Sequence, residues 1–189
     1  ERMLEFLKKS EKFCPHFHLS LQSLCDKTLE NMNRKYSSSD VLEIVKMLYN
    51  TFNEPFLGCD IIAGFPDESD EDFRVTYENL VALPLSYIHA FPYSIRENTP
   101  AAKMKNQIQD AIKTKRVQML NELCTTKHSE FLKRNKNSTQ EILFERKSRK
   151  TGLYSAITRN YIKVFVKDDR DDLRNTLKTV NLSEFEKLY

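Results

Sequence analysis

Between residues 16 and 92, short extended runs alternate with segments of helical period, and nothing else in the chain constrains the fold as strongly. His16-Phe17-His18-Leu19-Ser20-Leu21 follows Pro15 and reads as a strand. Asp40 suits a helix first turn, and Val41, Ile44, Val45, Leu48, Tyr49 and Phe52 then recur at the spacing of one helix face. Pro55 stops that helix, and the mostly apolar run from Phe56 to Ala63 fits a buried strand. Ser69 with Asp72 three residues on predicts a capping box for a second helix, whose face is Phe73, Tyr77, Leu80 and Val81. Pro84 ends it, and Leu85 to Phe91 reads as a third strand. Strands alternating with helices imply a parallel sheet with right-handed crossovers, and chemistry in such sheets sits at the strand C-terminal ends. Those ends are Leu21-Gln22-Ser23, Gly64-Phe65-Pro66 and Phe91-Pro92-Tyr93-Ser94. Three strands cannot close a barrel, so they form a small open sheet or part of a larger barrel.

The second half reads differently. Ile108, Ile112, Met119, Leu123 and Phe131 give residues 106–134 a weak helical period. After Asn135-Lys136-Asn137-Ser138, short strands around 141–145, 153–157, 161–166 and 177–182 predict a small barrel or sandwich. The expected organisation is an α/β part over 1–105, a connecting helix over 106–137 and an all-β part over 138–189. Charge divides along the same line. Residues 1–100 hold 10 Lys and Arg against 16 Asp and Glu, whereas residues 101–189 hold 20 against 11. The basic half suits a phosphate backbone or is a solvated helix and loop. Its densest clusters are Lys133, Arg134 and Lys136, then Arg146, Lys147, Arg149 and Lys150. Tyr154, Tyr161 and Phe165 are interleaved with them, as stacking platforms for bases or as core.

Composition excludes several classes. Hydrophobic residues at 40% suffice for a core, and three glycines exclude collagen-like chains and any Rossmann fingerprint. No apolar run reaches the roughly 18 residues of a membrane span, and no secretory signal opens the chain, so no membrane partner is expected. Cys14, Cys25, Cys59 and Cys124 show neither disulfide nor metal-ligand spacing, which predicts reduced, buried thiols in the cytoplasm. His16 and His18 share a strand face but more readily pack than bind a metal. No metal site and no catalytic residue is assigned. Gln22 and Ser23 can fix a ribose or an amino-acid moiety, or serve a turn. Arg34, near Tyr36, can clamp a carboxylate or phosphate. The acidic run Asp67 to Asp72 is chiefly a helix N-terminus. Glu1 in place of a start Met suggests a piece of something longer.

Four ordered blocks carry a resemblance. They are His18-Leu19-Ser20-Leu21-Gln22-Ser23; Leu29-x-x-Met32-Asn33-Arg34-Lys35-Tyr36; Asp60-Ile61-Ile62-Ala63-Gly64-Phe65-Pro66-x-Glu68; and His89-x-Phe91-Pro92-Tyr93-Ser94-x-Arg96-x-x-Thr99-x-Ala101-Ala102. Together they resemble the radical-SAM tRNA methylthiotransferases, and the last block is most similar to the branch acting on threonylcarbamoyladenosine. Residues 139–182, through Tyr154 and Asn160-Tyr161-Ile162-x-Val164, resemble the TRAM domain, a small RNA-binding β-barrel. Leu24 and Asp67 stand where the family usually has glycine, and the generic pattern around the second strand is half kept as Asp60-x-Ile62-x-Gly64-x-x-Asp67.

The resemblance implies the C-terminal half of a radical-SAM (β/α) barrel followed by TRAM, from an enzyme that methylthiolates C2 of N6-threonylcarbamoyladenosine beside the anticodon. It implies S-adenosylmethionine and two 4Fe–4S clusters, one of them held by a C-x-x-x-C-x-x-C loop that these residues lack, so the chain alone is expected to be inactive. Gln22, Ser23, Arg34, Ile62, Gly64, Phe91 and Tyr93 become candidate cofactor contacts. Arg96, Thr99, Arg146, Lys147, Arg149, Lys150 and Tyr161 become candidate substrate or RNA contacts. The implied partner is a tRNA anticodon stem-loop rather than DNA. The open seam of a half-barrel further predicts self-association. Rival readings are a non-catalytic RNA-binding protein, or a methylthiotransferase acting on isopentenyladenosine or a ribosomal protein.

Overall fold

The computed structural model describes residues 2–189, which fold as two compact units. One, here the α/β unit, gathers Phe17–Asn53 and Leu57–His128. The other, the β unit, gathers the residues up to His16, Glu54–Phe56 and Ser129–Tyr189. In chain order the elements of the first 135 residues are α1 (Arg2–Lys8), β1 (His16–Gln22), α2 (Asp26–Asn31), α3 (Ser38–Thr51), β2 (Phe56–Ala63), α4 (Asp70–Ala82), β3 (Tyr87–Pro92) and α5 (Asp110–Asn135). The long helix read as a connector is shared, its residues through His128 falling in the α/β unit and the rest in the β unit.

In the α/β unit the sheet order is β1–β2–β3. Strands β2 and β3 run parallel, with Asp60 opposite His89 and Ile62 opposite Phe91. In strand β2, Leu57, Cys59, Ile61 and Ala63 are core, whereas Asp60 and Ile62 on the other face are half-buried. Helices α3 and α4, on either side of β2 in the chain, start with caps written in the local sequence. Ser37 and Asp40 cap α3 reciprocally, and Ser69 and Asp72 cap α4 in the predicted box. Burial opposes ionisation of Asp72, but hydrogen bonds from Lys27 and Ser69 prevail and hold its carboxyl at about 2. The buried stripes are narrower than the periodicity implied. Val41, Val45 and Leu48 line α3 while Ile44 is exposed, and Thr76 replaces Val81 on the buried face of α4. Helix α2 has six residues, too few to show a period, and was not legible in the sequence.

Helix α5 shows why its apolar period looked weak. Its buried positions are Lys113, Arg116, Leu120, Leu123, Cys124, Lys127, Phe131 and Asn135, a regular helical stripe in which three members are cations. Each has a local reason. The Lys127 ammonium donates to the Val81 and Leu83 carbonyls at 2.5 and 2.7 Å, ending α4. The Arg116 guanidinium meets Glu68 at 2.6 Å and lies over the Phe73 ring. The stem of Lys113 fills the space beside Gly64.

The β unit holds β4 (Thr139–Lys147), β5 (Leu153–Thr158), β6 (Lys163–Lys167) and β7 (Leu177–Asn181). They form an antiparallel sheet ordered β6–β5–β4–β7. Edge strand β6 is partly covered, because the Lys163 and Tyr189 backbones exchange hydrogen bonds at 2.9 and 3.0 Å. Phe131, Ile142, Phe144, Tyr154, Ile162 and Val164 lead its core. The expected strand over 161–166 starts later, at Lys163, because Tyr161 takes a left-handed φ of 67° and ends a tight turn from Thr158. Cys25, Cys59 and Cys124 are buried as expected, and burial pushes the Cys59 thiol far up; Cys14, by contrast, is exposed. Among the described residues no helix is long and apolar enough to cross a membrane.

Candidate functional site

An open cavity of about 630 Å³ lies at the C-terminal ends of the parallel strands. Gln22, Arg34, Ile62, Phe91, Tyr93, Arg96 and Thr99 all line it, so seven of the sequence-predicted residues come together in one place. Asp60 joins them from β2. Sequence reasoning quoted Asp60 within a motif without giving it a role; a single carboxylate in the otherwise uncharged run Phe56 to Ala63 is the signal that marks it.

Each lining residue is delivered by a local device. Helix α2 ends in a Schellman motif: the Arg34 N–H reaches the Leu29 carbonyl at 2.9 Å and the Asn33 N–H reaches Glu30 at 2.8 Å. Asn33 sits at the left-handed position, with φ 56°, where asparagine is tolerated better than most side chains. This turn places Arg34 against the end of β1, where its guanidinium donates to the Gln22 carboxamide oxygen at 3.2 Å. On the sheet face beside the cavity, Asp60 Oδ1 is 2.9 Å from His18 Nε2 and 3.6 Å from His89 Nδ1. The His89 ring in turn packs on Phe91, with centroids 4.5 Å apart. The Tyr93 hydroxyl is buried and has no hydrogen-bond partner among the described residues, so it has capacity left for a ligand.

Two expected contacts lie elsewhere. Ser23 is fully buried, its hydroxyl 3.0 Å from that of Thr76 and accepting from the Cys25 N–H, and it does not line the cavity. Its role is to close the turn after β1. Gly64 is not a lining residue either. It has φ 75°, and a Cβ there would come within 2.4 Å of Lys113 Cγ, so the close approach it permits is that of α5 and not of a ligand. Its N–H donates to Glu68 Oε2 at 2.7 Å. Gly64→Ala should therefore destabilise the chain by about 1–3 kcal/mol from backbone conformation alone. A urea midpoint unchanged from the parent would refute that. Asp67, in place of the family's glycine, keeps a left-handed φ of 65°, anchored by Asn106 at its backbone N–H and its carboxylate.

The β-unit residues divide as well. Arg149 and Lys150 are exposed in the turn between β4 and β5. Arg146 lines a second cavity of about 570 Å³ together with Lys163, Phe165 and Arg174. Lys147 is engaged by the protein: its ammonium pairs with Asp171 at 2.7 Å and lies over the Tyr154 ring. Tyr154 is core, with its hydroxyl on the Arg170 carbonyl, so it is not a stacking platform. Tyr161 is half-exposed with its ring 4.0 Å from His16, and Phe165 is also exposed.

The α/β cavity offers a guanidinium, a carboxamide, a carboxylate and aromatic rings, a donor set that fits a ligand combining an amino-acid carboxylate, a ribose and a purine. Iron–sulfur clusters are another matter. Among the described residues no three His, Cys, Asp or Glu side chains gather as metal ligands would, so this chain's own groups do not fit a cluster.

Residues 1–80 match the Radical SAM superfamily. Threonylcarbamoyladenosine tRNA methylthiotransferase MtaB of Aquifex aeolicus is 40% identical over 164 residues, covering 87% of this chain and 38% of that protein. The tRNA-2-methylthio-N(6)-dimethylallyladenosine synthase of Alkaliphilus oremlandii is 39% identical over 145 residues, 77% of this chain and 31% of its own length. MtaB of Bacillus subtilis is 31% identical over 181 residues, 94% and 40% respectively. The chain thus spans well under half the length of these relatives. The likenesses are to a radical SAM family model and to proteins named as tRNA methylthiotransferases.

Proposed function

We propose that this chain is part of a radical-SAM enzyme that methylthiolates C2 of N6-threonylcarbamoyladenosine next to the tRNA anticodon. The carrying observation is the convergence of Gln22, Arg34, Ile62, Phe91 and Tyr93 on one cavity at the strand ends, in a sequence whose relatives bear methylthiotransferase names. S-adenosylmethionine bound there supplies the methyl group and the precursor of the radical. Arg34, held by Gln22, is suited to the methionine carboxylate, and Phe91 with Ile62 to the adenine face. Arg96 and Thr99 line the same cavity and are suited to the substrate nucleotide. Cluster ligands come from outside these 189 residues, so the chain alone binds and orients without starting radical chemistry. Residues 138–189 act as a TRAM-like module for tRNA, with Arg146, Arg149, Lys150 and Tyr161 as contacts and Lys147 contributing less because Asp171 already neutralises it. Such an enzyme works in the cytoplasm.

Nucleoside mass spectrometry of tRNA from a strain lacking the gene tests this reading. Loss of the 2-methylthio form of threonylcarbamoyladenosine, with its unmodified parent accumulating, is the expected result. Loss of the isopentenyladenosine derivative instead would transfer the assignment to the other tRNA branch, for which the Alkaliphilus oremlandii likeness is the specific reason. Unchanged tRNA would overturn both.

A further inference from the structure

Strand β1 does not simply stop at Gln22. The Ser23 N–H bonds back to the Leu21 carbonyl at 2.7 Å, closing a three-residue turn around Gln22, whose φ is 63°. This is the rare γ-turn with positive central φ, and glutamine gains nothing from it locally. A non-glycine residue held in the left-handed region persists only where its surroundings over-determine it. The consequence is directional. The turn sends the Gln22 carboxamide to the cavity and to Arg34, while Ser23 goes to Thr76 and Leu24 into the core.

Several groups hold the far side of the turn: Ser23 to Thr76, the Leu24 N–H to Thr76 at 3.3 Å, and Asn79 to the Leu24 carbonyl at 2.8 Å. On the near side the Tyr36 side chain does so. The Tyr36 hydroxyl lies 3.0 Å from the Ser20 carbonyl and 3.1 Å from that of Leu21, straddling the peptide that enters the turn. Burial pushes its phenol above the ordinary range, so the hydroxyl remains a donor at neutral pH. Its position comes from the same segment that delivers Arg34, two residues after the Schellman turn of α2.

We infer that Tyr36 is a positioning residue: its hydroxyl, donated to the Ser20 and Leu21 carbonyls, holds the left-handed turn at Gln22 and so aims the Gln22 carboxamide into the cavity. One segment, 33–36, therefore sets two polar members of the cavity wall, Arg34 directly and Gln22 through Tyr36. The inference concerns the turn itself; only what fills the cavity rests on the function proposed above.

Nuclear magnetic resonance of this chain and its Tyr36→Phe variant tests the inference. In the variant the Gln22 HN–Hα coupling should move to the value of an extended strand residue, the Gln22 side-chain amide signals should shift, and Tm should fall by about 2–4 °C. In a Gln22→Gly background, where positive φ carries no penalty, the same Tyr36→Phe change should leave the backbone coupling at position 22 in place. An unchanged Gln22 coupling in the single variant, or couplings at position 22 that move equally in both backgrounds, would overturn the role. Titration with S-adenosylhomocysteine separates this from the cofactor reading. If both hold, Tyr36→Phe weakens binding about fivefold, the equivalent of one hydrogen bond. A turn that opens while the parent chain binds no S-adenosylhomocysteine leaves Tyr36 its role and removes the cofactor from the cavity.

Discussion

Replacing Arg116 by methionine should cost about 3–5 kcal/mol of stability at pH 7, the usual penalty for stripping a buried charge of its partner. Arg116 is 4% and Glu68 3% exposed, so neither charge can turn to water when the other is lost. The pair does more than neutralise. Glu68 also accepts the Gly64 N–H at 2.7 Å, and Arg116 donates to the Glu68 carbonyl and to Asp70, so the loop after β2 and the start of α4 close around one carboxylate. The pH dependence gives the sharper test. Burial pushes the Glu68 carboxyl up, and the Gly64 N–H and Arg116 oppose it. Without Arg116 its folded-state pKa rises further above the unfolded value. A raised carboxylate pKa means the folded state binds the proton more tightly, so the deficit is largest above the folded pKa and shrinks as pH falls toward the unfolded value of about 4.5. Urea unfolding should therefore show the variant approaching the parent between pH 7 and pH 4.5. A gap that stays constant with pH would mean that packing against Phe73, and not the charge on Glu68, is what Arg116 provides. Glu68→Gln combined with Arg116→Met should be less damaging than the two single losses added.

Asn160→Ala should destabilise the β unit by about 2–4 kcal/mol, because it strands several buried groups at once. The Asn160 carboxamide donates to the Glu54 carbonyl and to Asn135 Oδ1, both at 2.9 Å, and accepts from the Thr158 hydroxyl at 2.7 Å. Asn135 in turn donates to the Phe131 carbonyl, so a residue of the turn before β6 helps fasten the last turn of α5. Asn160 and Asn135 are 2% and 1% exposed, so water cannot replace the lost bonds without opening the core. Asn160→Asp keeps the shape but points carboxylate oxygens at two acceptors, and it should be at least as harmful. Thermal unfolding monitored by circular dichroism reads both. A variant within about 0.5 kcal/mol of the parent would remove this network from the account of what stabilises the β unit.

Much of the scaffold could be read from the chain because it is written in local chemistry. The alternating β/α order, the Ser69–Asp72 cap and the strands of the second half all depend on neighbours within a few residues. The cavity residues were also largely legible, but through motif wording more than through periodicity. What misled was proximity. Ser23 follows Gln22 in the chain, yet the turn at Gln22 sends the two side chains opposite ways. Gly64 suggested room for a ligand, and the room is taken by Lys113 from a helix nearly fifty residues on. Lys147 looked like its basic neighbours until Asp171 was found beside it.

By itself, the sequence determined the alternating order of strands and helices, most of the apolar stripe of α3, the charge division between the halves and the motif residues at the strand ends. Spacing and short-range hydrogen bonding suffice for those. The tertiary structure alone decided which buried positions of α5 carry charge, that Asp60 joins the cavity with His18 and His89 beside it, and that Tyr36 sits on the turn at Gln22. Those outcomes depend on partners tens of residues away. A cation on a buried helix face is allowed only because a specific carboxylate or carbonyl waits opposite it, and no pattern along the chain records that meeting.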